Sequence, residues 1–177
     1  MGSRTVREDQ TVELGGPERF ISEPGWAALS GYLVANLRDI VKRRDQGASA
    51  GRPLFLHTYH VPTVYRSGTV GAPDGWLFPA LRDYAIPQPE RQAVAEALFQ
   101  RLRALWLSCS QDSGHANALP HVHVFDSAAA GKLLPADPEA TGVSGDWVNE
   151  IHPTPAGYRK IGLKFGPFIE AVLRNYP

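Results

Sequence analysis

Apolar positions in the first third of the chain recur at steps of three and four. Trp26, Leu29, Leu33, Leu37, Ile40 and Val41 fall on one helical face, Ser22 is placed to cap, and Pro24 suits a first turn. This spacing predicts an amphipathic helix from residue 22 to about residue 44. After a polar linker, Pro53-Leu54-Phe55-Leu56-His57-Thr58-Tyr59 is a nearly continuous apolar run of strand length, the signature of a buried parallel strand. A Gly- and Pro-rich loop then runs to residue 89, with one helical turn expected around residues 76–84. A second helix is predicted over residues 90–107, with Val94, Ala97, Leu98, Leu102 and Leu105 on one face. His121-Val122-His123-Val124-Phe125 alternates as a second strand. Thr154-Pro155 reads as an N-cap followed by proline at the first helical position. It opens a last helix through Tyr158, Ile161, Phe165, Ile169 and Val172, which Pro167 is expected to kink or split.

Helices alternating with strands specify an α/β fold with right-handed crossovers between parallel strands. Two strands make a poor sheet, however. Either the weak patch Thr11-Val12-Glu13-Leu14 joins them, or the chain is the later part of a longer domain that lacks its N-terminal strands. The expected organisation is an arm over residues 1–18 and an α/β domain over residues 19–177. The open sheet edge is expected to be covered by a second copy in a homodimer, by residues 5–14, or by a missing N-terminal half.

Composition narrows the function classes. With 43% hydrophobic and 20% charged residues the 177-residue chain can build a core. Lys+Arg 18 balances Asp+Glu 18 at a formal net charge of +0, so no nucleic-acid partner is expected. No run approaches membrane-spanning length and no signal-peptide core is visible, which predicts a cytoplasmic protein with no membrane span. The single cysteine, Cys109, is read as structural.

The densest chemical signal is Asp146-Trp147-Val148-Asn149-Glu150-Ile151-His152-Pro153-Thr154-Pro155-Ala156-Gly157-Tyr158. A histidine on a loop before a capped helix is suited to act as a general base. The segment resembles the last motif block of the SGNH (GDSL-type) hydrolases, an acidic residue three positions before a His-Pro pair and then a glycine opening the terminal helix. Residues 55–59 and 123–126 look like that family's late strands, so the resemblance covers roughly residues 20–175. It implies a flavodoxin-like, three-layer SGNH fold in incomplete form, a serine esterase or acyl-ester hydrolase, a small-molecule ester substrate and no cofactor.

Carried over by position, the family's catalytic histidine falls on His152 and its acidic orienter on Asn149, a departure. A carboxylate stabilises the imidazolium, whereas an amide only orients the ring, so Asn149 predicts a weaker base. Asp146 is the substitute orienter, and Glu150 a lesser one. No Gly-Asp-Ser run occurs, and Ser127, after the second strand, is the best stand-in although no long helix follows it. The expectation is that the nucleophile lies outside these residues and that the chain alone is a weak or inactive enzyme. Tyr59, His60 and Trp147 are the candidates for lining a substrate cleft at the carboxyl ends of the strands. Two alternatives remain open. One is a metal-dependent hydrolase using His57, His60, His121 and His123 together with His152 or Asp126, although His-x-His spacing alone specifies no metal site; the other is a catalytically inactive interaction module.

Overall fold

The computed structural model describes residues 15–69 and 73–177, so the strand patch expected at residues 11–14 lies outside the described residues. Helix α1 spans Glu23–Asp45, strand β1 Leu54–His57, α2 Leu77–Asp83, α3 Arg91–Ser108, strand β2 Val122–Phe125, α4 Ser127–Ala130 and α5 Pro155–Leu173. Short 3-10 turns at Pro17–Phe20 and Gln88–Glu90 precede α1 and α3. The chain is thus of mixed α/β character around a small parallel sheet.

The strands pair in parallel register, Leu54 opposite Val122 through His57 opposite Phe125. Thr58 N–H donates to the Phe125 carbonyl at 2.9 Å and continues the ladder past the end of β1. Strand side chains alternate between faces. Leu54, Leu56, Val122 and Val124 join Val34, Leu37 and Val41 of α1 and Leu105 to Leu107 of α3 in one apolar cluster with Cys109. On the other face Phe55 and Phe125 meet the rings of Phe165 and Phe168 on α5. Helices therefore cover both faces of the sheet, as buried parallel strands require.

Ser22 caps α1, its hydroxyl accepting from Gly25 N–H at 3.2 Å, and Thr154 caps α5 in the same way through Gly157 N–H at 3.1 Å. The buried face of α1 is made by Val34, Leu37 and Val41, whereas Leu29 and Ile40, expected inside, are exposed. Only a narrow stripe of this helix faces the two-strand sheet. Pro167 does not split α5, which runs unbroken from Pro155 to Leu173. The carbonyl left without its donor belongs to Leu163, an exposed residue, so water can replace the missing N–H. No helix among the described residues is long and apolar enough to cross a membrane.

Candidate functional site

The segment 144–154 folds back over the carboxyl end of β1 as a loop held by its own main chain. Val148 N–H donates to the His152 carbonyl at 2.8 Å, Ser144 N–H to the Trp147 carbonyl at 2.9 Å, and Thr154 N–H to the Asp146 carbonyl at 2.7 Å. Trp147 anchors the loop, buried among Tyr65, Ala136, Tyr59 and Leu133.

His152 stands exposed on this loop. Asn149 Oδ1 lies 3.1 Å from its Nδ1, and the same oxygen accepts from the backbone N–H groups of Ile151 at 3.1 Å and His152 at 2.9 Å. Two backbone donors identify the amide atom as oxygen, which only accepts, so Nδ1 carries the ring proton. Nε2 is left with its lone pair outward. The indole of Trp76 meets the imidazole edge-on, with ring centroids 5.8 Å apart, and limits its rotation.

Asp146 turns away from the imidazole. Its Oδ2 accepts from Lys160 Nζ at 2.5 Å and from Leu134 N–H at 2.7 Å, and the Lys160 ammonium foremost holds its carboxyl below the usual carboxylate range. Of the two proposed orienters, Asn149 is the one in contact with His152. The role of Asp146 in the geometry is to staple the 134 region and α5 to the loop.

Glu150, a minor candidate from sequence, is fully buried at 0% exposure. Oε2 accepts from the N–H groups of Trp76 at 2.6 Å and Leu77 at 2.8 Å, and Oε1 from Phe78 at 2.7 Å. Burial pushes this carboxyl up, and the three amides pull against that shift. Glu150 thereby fixes the start of α2 and with it the indole beside His152. Its partners are backbone amides, so no side-chain motif marks them, although Gly75 next to them is a trace of the close approach.

Tyr59, His60 and Trp147 do come together. They line a cavity of about 220 Å³ at the carboxyl end of β1, closed by His57, Pro153 and Tyr158. Burial pushes the Tyr59 phenol up to about 12 and pulls the His60 imidazole down. His60 packs on Gly131, and its Nε2 is buried with no hydrogen-bond partner of good geometry among the described residues. His152 is adjacent through Pro153 but does not itself line this cavity.

Ser127 is fully buried, and its hydroxyl donates to the Thr58 carbonyl. His57 Nδ1 lies 2.8 Å from that same carbonyl and 3.1 Å from Ser127 Oγ. A carbonyl only accepts, so Nδ1 carries a proton and cannot take one from the serine. Asp126 is occupied by Arg103, which grips it at 2.9 and 2.5 Å and foremost lowers its pKa. His121 and His123 share the Tyr176 hydroxyl at 3.0 and 2.8 Å. Among the described residues no group of three His, Cys, Asp or Glu side chains could hold a metal ion. Burial pushes the Cys109 thiol up, away from reactivity.

No family profile, no curated protein and no solved structure matches this chain.

Proposed function

We propose that the protein is an ester hydrolase of the SGNH (GDSL) type, with a flavodoxin-like three-layer sheet as its fold and His152 as its general base. The observation that carries this reading is the Asn149–His152 pair, which protonates Nδ1 and leaves Nε2 open on an exposed loop. Three further features support it. The loop lies over the carboxyl end of a parallel strand, where open α/β sheets bind their ligands. The cavity next to it has apolar walls with a few polar groups, which suits the body of a small ester. Gly157, in the glycine position of the resembling motif, sits where an added Cβ would be 2.8 Å from the Asp146 carbonyl, so the motif glycine has a packing role.

In this mechanism Nε2 takes the proton of the attacking hydroxyl, and the imidazolium is held by the carbonyl dipole of Asn149. An amide stabilises that charge less than a carboxylate. The sequence contains no Gly-Asp-Ser run and Ser127 is buried, so these residues alone should cleave only activated esters, by direct attack of Nε2 on the carbonyl. That attack expels p-nitrophenolate and leaves an acyl-imidazolium with the Nδ1 proton retained, which water hydrolyses to acetic acid and free His152, the water's second proton passing to solvent.

The test is hydrolysis of p-nitrophenyl acetate by the chain and by His152→Ala, Asn149→Ala and Ser127→Ala. Weak turnover is expected that falls at least tenfold in His152→Ala and is unchanged in Ser127→Ala. A rate unaffected by His152→Ala, or one abolished by Ser127→Ala in a folded variant, would overturn the assignment.

A further inference from the structure

A second cavity, larger than the one at β1, opens between the loop after β1, the start of α3 and the 135–139 segment. It measures about 440 Å³, and Val64, Phe78, Pro135 and Pro138 form its apolar walls. That volume suits a small organic ligand. Two charged residues share the lining, Arg91 and Glu139.

Arg91 is half-buried and held at one point only. Its Nε donates to the Ile86 carbonyl at 3.0 Å, and its guanidinium lies 5.4 Å from the centre of the Phe78 ring. No carboxylate pairs with it among the described residues. The nearby acid Glu90 is taken by Arg19. Arg91 is the first residue of an 18-residue helix, so the helix dipole adds to its positive field. The two Nη groups are thus donors in a partly desolvated setting with no anion on them, and a guanidinium fork matches the two oxygens of a carboxylate. Glu139 pairs with no cation among the described residues either. A negative charge at the rim tolerates one compensated anionic charge and repels a doubly charged group such as a phosphate monoester.

We infer that this cavity binds a small monocarboxylate with an apolar body, its carboxylate on Arg91 and its body over Phe78 between Val64 and the two prolines. The inference does not depend on the role of His152, and His152→Ala should bind the same ligand equally well.

Phenylacetate, phenylacetamide and phenyl phosphate serve as probes, titrated against the full chain with amide NMR and calorimetry as readouts. Phenylacetate is expected to bind and to shift the amides of Val64 and Phe78. The amide analogue should bind at least tenfold more weakly. Arg91→Gln should erase the preference for the acid, while Arg91→Lys, which keeps the charge and loses the fork, should retain part of it. Glu139→Gln should admit phenyl phosphate. Equal affinity for acid and amide, an acid preference that survives Arg91→Gln, or no phenylacetate shift at Val64 and Phe78 in the wild-type chain would overturn the site. Tighter binding of phenyl phosphate than of phenylacetate by the wild-type chain would overturn its restriction to single anions.

Discussion

Glu150 holds Trp76 by its backbone: Oε2 accepts the Trp76 N–H at 2.6 Å across 74 positions of sequence. Glu150→Gln puts an amide donor against N–H groups that themselves donate, in a site closed to water. Loss of one buried acceptor there should cost about 1–3 kcal/mol. Urea unfolding followed by tryptophan fluorescence checks this, and a variant within about 0.5 kcal/mol of wild type would refute it.

Asn149 tests differently, because its oxygen serves both structure and chemistry. Asn149→Ala removes one acceptor from two backbone N–H groups and one ring N–H, and should destabilise by about 1–2 kcal/mol. In the p-nitrophenyl acetate assay it should also lower the rate. Asn149→Asp keeps the acceptor and adds a charge that stabilises the imidazolium, so the His152-dependent rate should rise severalfold. Equal rates in all three proteins would mean that the 3.1 Å contact has no bearing on the imidazole's reactivity.

Acid should weaken the fold in two windows. Burial lowers the His123 pKa below its ordinary 6.5, so its contribution is present above that pH and is lost as pH falls through the lower native value. Arg103 chiefly lowers Asp126 below its ordinary 3.8, and that contribution disappears only below pH 3.8. Glu150 has the opposite sign. Its raised pKa makes its contribution complete below 4.5 and diminishing as pH rises through the native value. His60, also lowered by burial, adds to the upper window. Stability measured by urea titration across pH should therefore show the upper acid step shrink in His123→Gln and the lower one shrink in Asp126→Asn.

Gly75→Ala should damage the turn that precedes α2. The residue has φ +84°, and an added Cβ would stand 2.4 Å from Glu150 Oε2 and 3.2 Å from the Ser67 carbonyl. Backbone strain and the clash should together cost roughly 2 kcal/mol or more. A melting temperature unchanged from wild type would refute this account of the turn.

Local signals were the legible ones. The caps at Ser22 and Thr154 follow from residues whose neighbours in sequence define their environment, and the parallel pair β1 and β2 and the convergence of Tyr59, His60 and Trp147 follow from strand runs whose carboxyl ends an α/β order brings to one edge. The strand ends did not: β1 stops at His57, two residues before the apolar run ends, because its partner β2 gives way to Asp126 and the start of α4. Leu29 and Ile40 fit a helical stripe yet remain exposed, since periodicity gives a face and not the width of what covers it. Glu150 and Arg91 were hidden for another reason. Each takes its meaning from segments distant in sequence, backbone amides for the first and loop walls for the second, and neither leaves a spacing to read.

The contact between Gly75 and Glu150 also constrains how this chain can diverge. A carboxylate at position 150 requires that position 75 carry no side chain, while the φ of +84° and the Ser67 carbonyl favour glycine at 75 whatever stands at 150. In sequences related by descent, loss of the glycine should therefore be accompanied by loss of the glutamate, and not the reverse. A homologue with a side chain at 75 should also have replaced the glutamate, and should close the start of its second helix by some other acceptor.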